Sequence, residues 1–557
     1  MDNYQVAEFF SLLSKLMDIH GENSFKSKSY SIAAFNIDKL PTPLQSLQPE
    51  QIFSIKGIGD ATGKKILEII NTGKLQALED YIQKTPHGII EMLNIKGLGP
   101  KKIAVVWKEM GIESIGELLY ACNENRLLLY KGFGEKTQQN VKSYIEFYLR
   151  SKGSYLFAEI EPYALTLQQQ LQKHFSKNRF ELTGAFRRQT PTIDVLEWVT
   201  DADLAVLEKY LTEHSFTLAE KNTTDIIFKS PENTSLRFYA ARQDNFGSIL
   251  FHTTSSAAFL NEWEKKFPAV ATFTEEDQLF KAASVPYILP CLREKETIIA
   301  KAIGNQLPEL IQPNDIKGII HSHSNWSDGV NTIEEMAKAC IDQGLEYLVI
   351  SDHSKSAFYA NGLKEDRIKE QHRYIDELNE KLKPFKIFKS IEADILNDGN
   401  LDYSDDILST FDLVIASVHS NLKMPEEKAM MRLSAAIRNP YTTILGHLTG
   451  RLLLSREGYP VDHEKIIELC VENDVVIELN AHPRRLDMDW TWIDHAVEKG
   501  ALISIDPDAH DIAGFIDTRY GVLAAQKARL TKQNNLSSFE LTAFEQFLSK
   551  RKQKKGL

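Results

Sequence analysis

The spacing of apolar positions along the chain changes character twice. Over residues 1–48 the positions Phe9, Phe10, Leu12, Leu13, Leu16 and Met17 recur near helical spacing, which predicts short helices with one buried stripe. A repeat follows. IKGIGDATGKKI (55–66), IKGLGPKKIAVV (95–106) and YKGFGEKTQQNV (130–141) each place an apolar-Lys-Gly-apolar-Gly turn ahead of an amphipathic helix. Residues 155–308 mix strand-like and helical segments. From 315 onward β-rich runs alternate with helical stretches, the pattern of a parallel α/β domain, with strands predicted to end at Ile320, Ile350, Ile391, Val418, Gly446, Leu479 and Ile505.

Composition narrows the setting more than the chemistry. The 557 residues are 43% hydrophobic and 25% charged, enough for a sizeable core and about three or four domains. Four scattered cysteines form no C-x-x-C pair and no disulfide framework, which fits a reducing compartment. The first residues are amphipathic and acidic, and no apolar run reaches membrane length, so a cytoplasmic protein without membrane contact is expected. The net charge of −12 argues against nucleic-acid binding by the whole surface and leaves local sites open. The terminal KRKQKK (550–555) is expected to be a solvated end.

The glycine repeats give the first such local site. Gly57 with Gly59, Gly97 with Gly99 and Gly132 with Gly134 permit tight turns, after which a helix starts with free backbone N–H groups. Helix N-termini hold phosphates well, and three such turns with adjoining lysines favour duplex-backbone binding over ordinary helix connections. They resemble helix-hairpin-helix motifs, whose role is positioning. Upstream, Lys26 and Lys28 beside Phe25 and Tyr30 are expected to be solvated residues of a helix start.

The C-terminal half carries the second. HSHSNWSD (321–328) supplies His321, His323 and Asp328 after the first predicted strand; Ser351-Asp352-His353 follows the second, Glu392 the third, His419 the fourth, His447 the fifth, and Asp508 with His510 the seventh. Only the sixth end, Asn480-Ala481-His482, falls outside the set. Strand ends of an α/β barrel share one face, so these side chains converge, and a multinuclear metal site outweighs scattered core or surface histidines. Mixed N and O donors suit zinc, manganese or iron better than magnesium or calcium. Arg451 in HLTGR and Arg484 with Arg485 in NAHPRR lie on loops of that face, either clamping a substrate backbone or forming surface ion pairs.

Two family resemblances join these parts. FELTGAFRRQTPTIDVLEWV (180–199) looks like the signature of a family X DNA polymerase, matching at Gly184, Phe186, Arg187, Arg188 and Asp194. Ala185 replaces the phosphate-binding serine, Thr192 the first aspartate, and Ser235 stands where the third carboxylate is due. The front end resembles that family's lyase domain, with Lys65 at the Schiff-base position or simply solvated, and residues 285–311 resemble the bridge to the C-terminal domain of bacterial members. The strand-end constellation resembles the PHP (polymerase and histidinol phosphatase) domain. That resemblance implies three ions: one on His321, His323, Glu392 and Asp508, a second on Asp328, His353 and His510, a third on His419 and His447 with Glu392 bridging; Asp508, His321 and Glu392 are the expected catalytic positions.

The implied fold is multidomain, α+β and α/β: a helical lyase-like part (1–48), helix-hairpin-helix repeats (49–152), a nucleotidyltransferase-like palm and thumb (153–312), and a distorted (β/α)7 PHP barrel (313–557). The implied function is DNA repair by a metal-dependent 3′–5′ exonuclease or phosphoesterase, acting as a monomer on the 3′ ends of gapped or primer-template DNA. In the palm one aspartate of three cannot assemble a two-metal site, so Arg187 and Arg188 are expected to attract nucleotide weakly without incorporation, and magnesium matters only for residual synthesis. The alternatives are a bifunctional polymerase and exonuclease, and a DNA-end-binding protein with structural metals.

Overall fold

The structure, a computed structural model, describes residues 3–40, 42–150, 153–267 and 271–557. It divides into two compact units, Met1–Tyr148 and Leu149–Leu557.

The first unit is helical. Residues 3–38 form two long helices rather than several short ones, α1 (Asn3–His20) and α2 (Ser24–Asp38), because no breaker interrupts the pattern before Gly21, whose φ is +78°. Phe10 stacks on Tyr30 across them with ring centroids 5.9 Å apart. The three glycine turns lead into α3 (Asp60–Thr72), α4 (Pro100–Lys108) and α5 (Glu135–Arg150).

Besides a two-stranded antiparallel pair, Tyr155–Leu156 with Thr192–Ile193, the second unit holds two larger sheets. After α6 (Phe157–His174) comes a five-stranded sheet of β1 (Phe180–Thr183), β2 (Val195–Thr200), β3 (Thr217–Lys221), β4 (Asp225–Lys229) and β5 (Ser235–Ala240). The order is β1-β2-β5-β4-β3, with β2 and β5 parallel. Leu196, Trp198, Leu236 and Phe238 fill its apolar face with Leu167 and Leu171 of α6, and Trp198 stacks on Phe238 at 5.2 Å. On the opposite face Val199 is buried against Phe246 and Leu250, while Glu197 and Arg237 bring polar side chains to the rest of it. Helices α7 (Phe246–Thr254) and α8 (Glu276–Ala282) follow.

The C-terminal sheet is a sequential parallel set of seven: β6 (Gly318–Ser322), β7 (Tyr347–Ile350), β8 (Lys386–Asp394), β9 (Leu413–Ser417), β10 (Thr442–Leu445), β11 (Val476–Asn480) and β12 (Ile503–Asp506). Its edges approach each other past the strand ends, where the His323 N–H donates to the Ala509 carbonyl at 2.8 Å and the Ala509 N–H to that of His321 at 3.3 Å. The result is a nearly closed barrel. Both faces of the strands are buried, which explains their unbroken apolar runs. Helices α9 (Ile333–Asp342), α10 (Glu365–Leu382), α11 (Glu426–Arg438), α12 (His463–Glu472), α13 (Trp490–Glu498) and α14 (Thr518–Lys527) intervene or follow.

The last helix, α15 (Leu541–Lys555), belongs to the barrel's core. Phe544 and Leu548 pack against Ile320, Tyr347, Val349 and Phe388, and Phe544 stacks on Tyr347 at 4.5 Å. The expected solvated tail is therefore helical, and Arg551 is buried on the carbonyls of Asp474, Pro440 and Thr442. Phe544→Ala should lower the stability of the barrel in urea titration by about 3–5 kcal/mol through the lost ring and residual cavity. The exposed Lys550→Ala on the same helix should move it by less than ~0.5 kcal/mol. Equal effects would contradict the plug.

Candidate metal centre

The site begins with departures from regular strand. Sequence alternation puts Ile320 inside the barrel, so an unbroken strand would turn His321 away from the interior. Instead β6 slips register between Ile319 and Ser322, and His321 takes a φ of +59°. His447 (+33°) and Asp508 (+52°) also occupy left-handed backbone. Such conformations cost roughly 1–3 kcal/mol each and persist where the surroundings over-determine them. Glu392 lies within β8 rather than after it, since that strand runs on to Asp394.

All nine expected ligands meet at this end of the barrel, and Glu392 is at their centre. Its Oε1 lies 2.9 Å from His447 Nε2, 3.0 Å from His419 Nε2 and 3.3 Å from His321 Nε2. Its Oε2 lies 2.9 Å from His353 Nδ1 and 3.7 Å from His323 Nε2. Asp508 Oδ1 stands 3.1 Å from His323 Nε2 and 3.5 Å from His321 Nε2. Asp328 faces His353 and His510, each at 3.6 Å. The donor atoms fall into four overlapping groups, each within 4.8 Å: His323, Asp328, His353 and His510; His321, His323 and Asp508; His321, Glu392 and His447; His353, Glu392 and His419. The three separate ligand sets expected from the sequence are thus interleaved, with His353 also reaching Glu392.

These residues fit divalent cations on a local observation. His323 Nδ1 and Asp328 Oδ2 are buried without a hydrogen bond within the protein, and His321 Nε2, His353 Nδ1 and Glu392 Oε2 are buried within ion-pair distance of a partner but without a well-directed hydrogen bond. Buried polar atoms are rarely left so, and a cluster of them facing one another is what cations would satisfy. Charge agrees. Burial pushes Glu392 and Asp508 upward, but the imidazoles outweigh it, His419, His321 and His353 for Glu392 and His321 for Asp508, holding both well below the usual carboxylate range. For His321, His353 and His419 burial works downward and the carboxylates prevail, raising all three. His323, buried beside His510 and His353, is pushed down to about 3, leaving a neutral donor.

A surrounding layer of buried acids completes the site, and sequence reasoning missed it. Glu478 Oε2 lies 2.5 Å from His321 Nδ1, and Asp394 Oδ1 lies 2.5 Å from His419 Nδ1, which fixes both rings with Nε2 toward Glu392. Asn480 donates to Asp508 at 3.1 Å, so the excluded sixth strand does contribute. Asp352 accepts from Ser324 N, Ser324 Oγ, Ser327 Oγ and Gln371 Nε2 at 2.5–2.8 Å, pinning the loop that carries Asp328. A signal existed: a Glu inside VVIELN, or an Asp two positions after Glu392, is a charge in a buried strand and needs a partner.

The expected arginine clamp is corrected in two of its three members. Arg451 pairs with Asp489 and donates to the carbonyls of Arg485 and Leu486; Arg484 pairs with Glu159 on α6. Both bind parts of the fold. Arg485 is the one at the centre, buried with Nε 3.6 Å from Asp508.

The nucleotide-site remnant is corrected likewise. Arg187 makes two 2.8 Å bonds to Glu276 on α8, which also accepts from Arg293 at 2.6 Å; burial opposes the Glu276 charge, yet these guanidiniums hold its carboxyl down to about 2. Arg188 bonds to Glu294 at 2.9 Å. At Gly184 a Cβ would meet Glu197 Oε2 at 1.7 Å, so a carboxylate packs directly against this glycine. Asp194 is exposed and accepts from Ser154 at 2.7 Å, Ser235 accepts from Lys229 at 2.6 Å, and Asp225 pairs with Arg237 at 2.8 Å. Among the described residues, no group of three ligand-bearing side chains includes one from this sheet.

The glycine turns have φ of +83°, +92° and +97° at Gly57, Gly97 and Gly132. Gly59 and Gly99 cap α3 and α4, and Gly134 precedes α5. Nothing lies within 4 Å of a Cβ placed at Gly97, Gly99, Gly132 or Gly134, so their backbone is open to phosphate. Gly57 differs: its Cβ would meet Asn36 Nδ2 at 2.4 Å, an amide that donates to the Lys56 carbonyl. Lys65 is half-buried on α3.

Three outcomes follow from this geometry. Asp508→Asn and His321→Ala should lose bound metal while circular dichroism stays near native, and Glu478→Gln should weaken metal affinity by about 10–100-fold, read by metal analysis and chelator competition. Because cations must displace protons from His321, His353 and His419, whose pKa values are raised, apparent metal affinity should climb as pH rises above the ordinary imidazole range; a flat profile would contradict this. Gly99→Val with Gly134→Val, at turns without positive φ, should weaken duplex binding with little change in melting temperature, measured by fluorescence anisotropy.

Comparison with known proteins supplies the wider context. Family models match at residues 1–75 (helix-hairpin-helix domain), 89–146 (SAM-like helix-hairpin-helix tandem) and 320–482 (PHP domain). A "Probable phosphatase" of Thermoanaerobacter sp. (strain X514) is 27% identical over 256 residues, 42% of this chain and 96% of its own. Another, of Acetivibrio thermocellus, is 30% identical over 169 residues, 29% of this chain and 64% of its own. The "DNA polymerase/3'-5' exonuclease PolX" of Bacillus subtilis (strain 168) is 32% identical over 582 residues, spanning 99% of this chain and 100% of its own. On that full-length match the chain belongs to the bacterial family X DNA polymerases with a C-terminal PHP domain.

Proposed function

We propose that this protein is a metal-dependent phosphoesterase that removes nucleotides from DNA 3′ ends, and that its palm does not synthesise DNA. The observation that carries the reading is the convergence of nine ligand-type side chains, Glu392 at their centre and seven of them buried, at one end of the barrel, in a chain that also carries helix-hairpin-helix modules. Zinc, manganese or iron suits the donors, three ions being the proposed number: His321, His323, Glu392 and Asp508 hold one, Asp328, His353 and His510 a second, His419 and His447 a third that shares Glu392. When bound, such ions supply Lewis acidity toward a phosphodiester and activate water.

The chain's own groups do the rest. Glu478 and Asp394 hold the His321 and His419 rings toward Glu392, and Asp352 holds the loop of Asp328. Arg485, beside Asp508, is placed to meet a phosphate oxygen. The open glycine turns grip the duplex backbone without reading sequence. The proposed setting is a cytoplasmic monomer working on gapped or primer-template DNA in repair.

The relative's name joins a polymerase to the exonuclease, but the palm here favours hydrolysis alone. Among the described residues Asp194 belongs to no group of three ligand-type side chains that could hold ions against a triphosphate of about four negative charges, and both arginines are paired with Glu276 and Glu294. The test is a pair of assays on 5′-labelled gapped DNA with manganese. Wild type should shorten the primer, whereas His321→Ala with all four deoxynucleotides should neither shorten nor extend it. Template-directed extension by His321→Ala would establish the bifunctional reading instead, and no shortening by wild type would leave a DNA-end-binding protein.

A further inference from the structure

The mouth of the candidate centre carries an exposed aromatic that the reading above does not use. Phe358 is 82% exposed and opens a single 3-10 turn, Phe358–Ala360, on the loop that leaves His353. An apolar ring at the tip of a loose loop would be unremarkable, but this loop is fixed on every side. Ala357, Ala360 and Leu363 are fully buried. The Leu363 N–H donates to the His353 carbonyl at 2.9 Å, the Lys355 N–H to the Tyr403 hydroxyl at 3.0 Å, and the Ser356 N–H to Asp402 at 2.9 Å. The Asn361 amide reaches the carbonyls of Trp326 and Ser327 at 3.2 and 3.4 Å, tying the turn to the loop of Asp328. Gly362 packs so closely that a Cβ would stand 1.9 Å from the Ser354 carbonyl oxygen. The ring is held in water by an ordered backbone.

Its position is next to the chemistry. The Tyr359 ring centroid lies 6.4 Å from that of His353, and Phe358 meets Tyr359 edge-on at 5.9 Å. Val330, 61% exposed, is a second apolar residue at this mouth, its N–H bonded to the His510 carbonyl at 2.9 Å. Exposed Lys364 adds positive charge to the same stretch. Among occupants of such a ring beside a phosphoester centre, a nucleobase brings a flat π face and an attached phosphate together.

We propose that Phe358 is a stacking platform for the base next to the scissile phosphate, so that the centre takes ends with unpaired bases in preference to base-free phosphate esters. This rests on the phosphoesterase reading. Stacking tolerates any base, since each has a π face, but it requires that face to be free, which selects single-stranded or frayed ends.

The test uses the full-length protein with manganese and two 5′-labelled single strands identical except at the last two residues, deoxyadenosine in one and base-free tetrahydrofuran in the other. The readout is the ratio of kcat/KM, base-bearing over base-free. One base–aromatic stack corresponds to a change of about five- to a hundredfold, so Phe358→Ala should lower the ratio by that factor. Phe358→Trp should restore it, and Phe358→Leu, apolar without a π face, should not. A second readout needs no turnover: a dinucleotide ending in 2-aminopurine should lose fluorescence on wild type and keep it on Phe358→Ala. An unchanged ratio with unchanged quenching overturns the stacking proposal and leaves the phosphoesterase reading intact. If wild type cleaves neither strand, that reading falls and the quenching alone decides Phe358. If Phe358→Ala instead alters sedimentation of the free protein, the ring is a contact between copies and the proposal fails.

Discussion

The barrel's mouth depends on one buried carboxylate. Glu392 has imidazole nitrogens at 2.9 Å on both its oxygens and is only 1% exposed. An uncompensated charge at such a depth costs several kcal/mol, so the surrounding groups must be positive or must hold something positive. The nearest neighbours, His321, His353 and His419, are driven toward protonation by this carboxylate together with Asp508, Asp328 and Asp394. Protons in that role are placeholders for divalent cations, which supply the same charge with a stronger field. The left-handed residues at His321, His447 and Asp508 follow from the same demand, since each turns a donor toward the centre at a backbone cost that the packed barrel sustains.

The palm shows charge arranged to the opposite end. Arg187, Arg188 and Arg237 each have a carboxylate at 2.8–2.9 Å, so their charge is compensated within the fold. Meanwhile its acidic groups reach the barrel: Glu159 to Arg484, and Glu161 to Arg519 at 2.6 Å. Lys527 of α14 has a fully buried side chain that donates to Glu294 and to the Arg188 carbonyl at 2.9 and 2.7 Å. On the reading proposed here, a domain with the outline of a polymerase serves as a rigid body beside the hydrolytic centre.

Much of this was legible in the sequence, for reasons specific to particular residues. Strand ends announce themselves by apolar runs, and a His or Asp just beyond such a run has few structural excuses, so the ligand-type residues could be gathered without coordinates. The grouping of donors could not, because which two strands bring His353 against Glu392 depends on barrel curvature. Glu478 and Asp394 were readable as charges inside buried strands but carry no motif. The partners of Arg187, Arg188 and Arg484 were unreadable: Glu276, Glu294 and Glu159 lie 89, 106 and 325 residues away, and nothing in the local motif points to them. The terminal KRKQKK misled because charge counts describe a helix's outer face and say nothing of Phe544 and Leu548 on its inner one.

The central claim is that divalent cations, not protons, neutralise the Glu392 centre in the working protein. Its most direct measurement is anomalous X-ray diffraction from crystals of the full chain, recorded across the zinc, iron and manganese absorption edges. The account predicts anomalous peaks between Glu392, Asp508, Asp328 and their histidines, lost in Asp508→Asn crystals at the position nearest that residue. Well-diffracting crystals that show no peak there, even after soaking with each metal, would contradict it.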